Sequence, residues 1–168
     1  MGAHEHHQHR PARLNLGVIT ASDSRTPETD RSGSLIREKL EGAGHRIGYY
    51  AIIPDDPALI EHAVLDNLEG LDGIIVNGGT GIAARDTTFE ALRGLLDKEL
   101  NGFGELFRYL SYQEIGSAAF LSRATAGIAG GRILVSLPGS PDACRLAMDK
   151  LLMPELGHMA HLLELGSK

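Results

Sequence analysis

The chain has 168 residues, 42% of them hydrophobic, enough for one domain with a substantial core. Its formal charge of −6 leaves no basic excess to release counterions, which argues against non-specific binding to nucleic acid or to an anionic membrane surface. Absence of Trp, 5% aromatic content and 21 glycines suit an α/β domain with functional turns better than an aromatic-rich β-sandwich.

Residues 1–12 hold His4, His6, His7 and His9 among polar neighbours, with nothing apolar to fold around a metal, and are expected to form a disordered tail before a single domain over 13–168. This start has no signal-peptide or anchor pattern, and no later apolar run reaches membrane-spanning length. Leu14–Ala21 mixes Leu, Val, Ile and Thr without helical period and reads as the first strand. A long polar turn follows, Ser22-Asp23-Ser24-Arg25-Thr26-Pro27-Glu28-Thr29-Asp30-Arg31-Ser32-Gly33, before a helix carrying Leu35, Ile36, Leu40 and Ala43 and ending at Gly42 and Gly44. His45–Ile53 reads as a second strand that stops at Pro54-Asp55-Asp56-Pro57. There Asp56 caps a helix with Pro57 first and Leu59, Ile60, Ala63, Val64 and Leu68 inward.

Gly73-Ile74-Ile75-Val76 is short and wholly apolar, as a buried strand would be. It runs into Asn77-Gly78-Gly79-Thr80-Gly81-Ile82-Ala83-Ala84-Arg85-Asp86, a glycine-rich turn that ends in one isolated carboxylate. Thr87 and Glu90 then have capping-box spacing for a helix from Thr88 to about Leu96. A second helical region starts at Gly102 and continues towards Leu121. Arg123–Ala129 and Arg132–Leu137 read as strands joined at Gly130-Gly131. Pro138-Gly139-Ser140-Pro141-Asp142 opens the last main helix with Ser140 as cap and Ala143, Leu146, Ala147 and Leu151 inward, and Pro154 is expected to start a separate terminal helix. Cys144, the single cysteine, allows no intramolecular disulfide, packs as a small hydrophobe and points to a reducing cytoplasm.

Strand and helix alternate, which implies right-handed crossovers and a mostly parallel sheet made mixed by one antiparallel hairpin strand. If the strands ending at Ala21, Ile53, Val76 and Leu137 are parallel, four turns share one edge of the sheet: Ser22–Gly33, Pro54–Pro57, Gly78–Asp86 and Pro138–Pro141. Three combine Gly with Ser or Thr before a helix, a source of N–H and hydroxyl donors for oxyanions. The Pro54 turn adds Asp55, and the glycine turn adds Asp86. Mg²⁺ is commonly held by one or two carboxylates together with substrate phosphates, so the combination suits Mg-nucleotide chemistry. Each part alone has a plainer explanation. Glycine turns ease strand–helix packing, Asp55 can serve a turn, Asp86 can complement a helix dipole, and Ser140 is a helix cap. Arg25, Arg31, Arg85, Arg123 and Arg145 are solvated charges by default, with Arg25 and Arg85 inside candidate turns. No G-x-x-x-x-G-K is present, and Gly79-x-Gly81-x-x-Ala84 lacks both the immediate helix and the later acidic residue of a dinucleotide fingerprint. His158 and His161, three apart without an intervening Glu motif, read as a helix face rather than a metal site.

Taken together, Gly78-Gly79-Thr80-Gly81 with Asp86, Pro54-Asp55, Asp30-x-Ser32-Gly33 and Leu137-Pro138-Gly139-Ser140-Pro141 resemble the molybdopterin-binding MoaB/MogA family, to which the G domain of gephyrin belongs. The run Gly102–Tyr112 and Pro154-Glu155-Leu156-Gly157-His158 is most similar to the MoaB branch. The resemblance implies a three-layer α/β/α fold, a homo-oligomer (trimer or hexamer), and molybdopterin as ligand. In its catalytic members Mg-ATP adenylylates the terminal phosphate of molybdopterin and pyrophosphate is released. Carried over by motif, Asp86 and Asp55 act with Mg²⁺, while Gly78, Gly79, Thr80 and Gly81, the Ser22-Asp23-Ser24 and Asp30, Ser32, Gly33 segment, and Pro138, Gly139 and Ser140 bind nucleotide and pterin phosphates. Ser140 stands where many catalytic relatives carry Asn, and Thr88 where the family often has proline. A non-catalytic molybdopterin-binding or scaffolding oligomer of the same pathway is the alternative, and a nucleotide hydrolase is a third reading that lacks a visible water-activating base.

Overall fold

A computed structural model describes residues 13–166, so the His-rich segment expected to be a tail lies outside the described residues. Strands β1 (Asn15–Ala21), β2 (Arg46–Ile53), β3 (Gly73–Asn77), β4 (Lys98–Glu99), β5 (Thr125–Ala129) and β6 (Arg132–Leu137) form one sheet in the order β2-β1-β3-β6-β5-β4. β2, β1, β3 and β6 are parallel, and β5 runs against both of its neighbours. Helices α1 (Arg31–Gly42), α2 (Pro57–Leu68), α3 (Thr88–Gly94), α4 (Asn101–Ile115), α5 (Pro141–Ala147) and α6 (Met153–Gly166) cover the two faces.

The layers follow from side-chain parity along the strands, since successive residues point to opposite faces. Leu16, Val18, Ile75, Ile133, Val135 and Leu137 pack with Ile36 and Leu40 of α1, Phe107 of α4, and residues of α5 and α6. Ile19, Ala21, Ile74, Val76 and Leu134 pack instead with Ile60, Val64 and Leu68 of α2 and Leu92 of α3. The fold is therefore the expected three-layer α/β/α arrangement on a mixed sheet. Central β3 is buried at every position, which explains its unbroken apolar run. Both Gly130 (φ 53°) and Gly131 (φ 74°) are left-handed, so the β5–β6 hairpin closes in the tight turn that their pairing suggests.

The local readings differ from the structure in several places. α1 begins at Arg31, inside the stretch read as a turn, because the Asp30 side chain caps it by accepting from Gly33 N. Leu59 is 49% exposed rather than inward, one position off the buried stripe Ile60, Val64 and Leu68. Thr87 precedes α3 without making a side-chain cap bond, and Glu90 pairs with Arg123 instead of closing a capping box. Arg123 itself lies before β5. Pro154 does not start a separate helix: α5 runs into α6 through a π-helical turn, Met148–Leu152. The wider turn accommodates a ring that would clash with the carbonyl four residues back in a regular α-helix.

Register carries this architecture to the functional edge. Thr20 is paired with Asn77, and Asn77 with Leu137, so the parallel strands end side by side. β2 lies on one side of β1 and β3 on the other, which makes the crevice beyond β1 and β3 a topological switch point.

Candidate functional site

At that edge the four turns are tied directly to one another. Ser22 N donates to Ile53 O at 2.8 Å, Asp55 N to Asp23 Oδ1 at 3.0 Å, and Gly78 N to Leu137 O at 3.0 Å. Ser32 Oγ donates to Gly139 O at 2.8 Å, joining α1 to the loop after β6. Between the turns lies an open cleft of about 460 Å³. Of the residues expected there, Ser22, Ser24, Asp30, Ser32, Gly78, Gly79, Thr80, Gly81, Asp86, Pro138 and Gly139 line it.

Asp23, Gly33, Asp55 and Ser140 do not line the cleft. Asp23 orients the Asp55 backbone. Gly33 supplies the amide that Asp30 Oδ1 accepts at 2.9 Å. Ser140 Oγ accepts from Ala143 N at 3.2 Å as an ordinary cap. These two caps already use a first-turn N–H of α1 and one of α5, leaving the glycine turn as the richer source of open donors.

Backbone geometry explains the glycines. Gly78 (φ 100°) and Gly79 (φ 63°) are left-handed, and a side chain on Gly78 would overlap the Ala21 carbonyl. Behind Gly79 sits Asp55, whose Oδ1 accepts from Thr88 Oγ1 at 3.0 Å; behind Gly81 sits Asp86, whose Oδ2 accepts from Ala83 N at 2.9 Å. Asp55 Oδ2 and Asp86 Oδ1 accept no hydrogen bond among the described residues. Burial pushes the Asp55 carboxyl above the ordinary range; the Thr88 hydrogen bond opposes this, and the negative charges of Asp86 and Asp23 add to it. Among the described residues no group of three or more His, Cys, Asp or Glu side chains could hold a metal. Asp55 and Asp86 stand beside the glycine turn as two hard oxygen donors, each with one carboxylate oxygen that accepts no hydrogen bond among the described residues.

A buried polar relay lies under the cleft. Asn77 Nδ2 donates to Ile19 O at 3.2 Å and to Thr20 Oγ1 at 2.9 Å. Thr20 Oγ1 and Tyr50 OH each donate to Asp30 Oδ2 at 2.7 Å. Burial, then the Asp30 hydrogen bond, pushes the Tyr50 hydroxyl up to about 12, and Arg37 stacks 4.0 Å from its ring centroid. Asn77 Oδ1 is buried without a partner among the described residues, next to the cleft that Asn77 lines. Cys144 is also buried; burial pushes its thiol up to about 12, and Sγ donates to Pro138 O at 3.2 Å, so it packs rather than attacks.

Several contributors escaped local reading. Thr20 and Ala21 line the cleft from the end of β1, and so does Asn77, which opens the glycine-rich stretch but was not singled out as a site residue. Leu121 and Ser122 form part of the wall from a distant segment that carries no motif. Arg25, noted only as a cation in a turn, lines the cleft. Arg123 reaches the glycine turn from beyond α4, with no sequence signal at all.

Residues 17–158 match the family model described as "Probable molybdopterin binding domain". Molybdenum cofactor biosynthesis protein B of Halalkalibacterium halodurans is 49% identical over 162 residues, covering 95% of each chain. A crystal structure of a molybdenum cofactor biosynthesis protein B superposes with a TM-score of 0.89 at 51% identity, over 92% of this chain and 98% of that one. The tungsten cofactor synthesizing protein MoaB from Pyrococcus furiosus gives a TM-score of 0.80 at 38% identity, over 94% and 99% of the respective chains.

Proposed function

The chain belongs to the molybdopterin-binding domain family, and on that premise we propose that it works in molybdenum cofactor biosynthesis as a molybdopterin adenylyltransferase. An oxygen of the pterin's terminal phosphate attacks the α-phosphorus of Mg-ATP. A new P–O bond forms, the bond to the β-phosphate bridging oxygen breaks, and pyrophosphate leaves with the electron pair. One observation carries this reading: the glycine turn, the Ser22 turn and the Pro138 loop converge on a cleft of about 460 Å³ that Asp86 also lines.

The residue types fit the chemistry. A phosphate oxyanion needs no Ser–His pair to activate it, so the protein's task is to align two anions and stabilise developing charge. Gly79–Gly81 present backbone N–H groups, and Ser22 and Ser24 add hydroxyls, while Gly78 N–H and the Ser32 hydroxyl are taken up in tying the turns to Leu137 O and Gly139 O. Asp86 and Asp55 would hold Mg²⁺ carried by the ATP phosphates, which supplies positive charge to the leaving pyrophosphate.

A non-catalytic molybdopterin-binding oligomer is favoured by a different observation. Asp55 does not line the cleft, and its Oδ1 is engaged by Thr88. Incubation of purified protein with molybdopterin and Mg-ATP separates the two. Adenylylated pterin and pyrophosphate are expected, with turnover lowered at least about 100-fold in Asp86→Asn. Tight pterin binding without product would favour the scaffold, and undiminished Asp86→Asn turnover would remove that residue from the mechanism.

Self-association is part of the same proposal. Leu106, Tyr109, Tyr112 and Ile115 are exposed at three-residue spacing along α4, and Phe120 follows at 76% exposure. An apolar stripe of this kind suits contact between copies, as a trimer or hexamer. No described helix is long and apolar enough to cross a membrane. A reducing cytoplasm is compatible with a cysteine outside any disulfide.

A further inference from the structure

Arg123 is separated by some forty residues of sequence from the glycine turn, yet its guanidinium ends there. Nε donates to Thr80 O at 3.0 Å, and one terminal nitrogen donates to Gly81 O at 2.6 Å and Asp86 O at 2.8 Å. The other terminal nitrogen pairs with Glu90, and the Phe89 ring centroid lies 5.1 Å from the guanidinium carbon. Four groups are thus held by one planar fork, three of them backbone carbonyls.

The segment held in this way has few other ties. Residues 81–85 are exposed, and Ala83 closes a local turn with Asp86 through its N–H and its carbonyl. Gly79 O accepts from Thr88 N at 3.1 Å. Arg123 spans the segment, gripping it at Thr80–Gly81 and at Asp86. A surface ion pair with Glu90 alone would matter little, but charge-assisted bonds to carbonyls are stronger, and the Arg123 side chain is only 26% exposed.

Orientation gives the contact its consequence. The described peptides are trans, so a carbonyl turned toward the guanidinium turns the following N–H away from it. The N–H groups of Gly81 and Ile82 therefore point to the side opposite Arg123, and Gly81 lines the cleft while Arg123 does not. We propose that Arg123 is a positioning residue: its fork holds the glycine turn and the Asp86 backbone in the shape that receives phosphate groups, without touching the ligand. The ligand part of this rests on the phosphate-binding reading of the cleft. Lysine could not substitute, since its ammonium is a point charge rather than a preorganised fork.

The test compares wild type, Arg123→Ala and Arg123→Lys by amide hydrogen exchange and by equilibrium binding of Mg-ATP. In Arg123→Ala, amides between Thr80 and Thr87 should exchange about tenfold faster or more while those of β1 and β3 are unchanged. Mg-ATP affinity should fall about tenfold. Guanidinium ion at sub-denaturing concentration should restore both, and equal sodium chloride should not. If Arg123→Ala fails to fold, Arg123→Lys carries the test, with the same turn-specific acceleration at smaller size. Unchanged exchange in the turn, or a uniform rise across the domain that guanidinium does not reverse, overturns the proposal. Wild-type protein that binds neither Mg-ATP nor molybdopterin overturns the phosphate-site reading separately, and the exchange measurement still decides whether Arg123 holds the turn.

Discussion

Asp55 is held where its charge is unwelcome: burial raises its carboxyl, and Thr88 offsets that only in part against the added charges of Asp86 and Asp23. A carboxyl raised in the folded state contributes stability while protonated, below its unfolded pKa, and that contribution is lost as pH rises through the raised value. At pH 7 ionised Asp55 therefore opposes folding. Asp55→Asn removes the charge and keeps an oxygen to accept from Thr88. We expect the variant to melt at or above the wild-type temperature at pH 7, with the gap narrowing as pH falls through the raised value and the carboxyl takes up its proton. Thermal denaturation from pH 7 down through that value checks it, and a variant equally destabilised at both ends would refute it. On the proposed function the same change weakens the Mg²⁺ dependence of turnover, the pattern of a site that gives up stability for chemistry. Asp55 and Asp86 were legible as isolated carboxylates in turns. That Asp55 stands behind Gly79 rather than in the cleft was not, because its position depends on Asp23 and Thr88 together.

At the scale of elements, the passage from β3 to α3 is the demanding join. Gly79 is left-handed, and a methyl group there would overlap Thr88 Oγ1 and lie 2.5 Å from Asp55 Oδ1. Gly79→Ala should cost about 1–3 kcal/mol, read as a lower denaturant midpoint. Gly94 ends α3 with open space around its Cα, so Gly94→Ala should instead stabilise by about 0.5–1 kcal/mol. Opposite signs from two glycines about one helix apart would show that the turn, not the helix, requires glycine; equal effects would contradict this. The capping-box pattern at Thr87 and Glu90 shows the limit of local reading. Arg123 takes Glu90, and Thr87 Oγ1 is left buried without a partner among the described residues.

For the whole molecule, the exposed apolar residues are concentrated on α4 and the 3₁₀ turn Gly116–Leu121 that follows it, whose last residue already borders the cleft. If this stripe joins copies of the chain, Tyr109→Glu together with Ile115→Glu places like charges at the contact. The double variant should sediment at a lower mass than wild type while keeping its far-ultraviolet spectrum. An unchanged sedimentation coefficient would move the contact to another face. Because Leu121 and Ser122 line the cleft, dissociation should also weaken ligand binding, measured in the same variant by Mg-ATP titration.

The sequence by itself determined the parallel strands and the turns that meet at their ends, while the three-layer arrangement came in through the family resemblance. Those properties are written in short-range signals: strand parity, Asp56–Pro57 and Ser140–Pro141 caps, and glycines where φ is positive. It also named most of the cleft, since motif residues and strand ends share one edge once the strands are parallel. Tertiary structure alone decided which turn residues face the cleft and which serve as caps behind it. It also brought Leu121, Ser122 and the Arg123 fork to a turn some forty positions earlier. The physical reason is that a cap or a positive φ is chosen by its immediate neighbours, whereas a guanidinium satisfies whichever carbonyls the closed sheet delivers to it. No local pattern encodes that delivery.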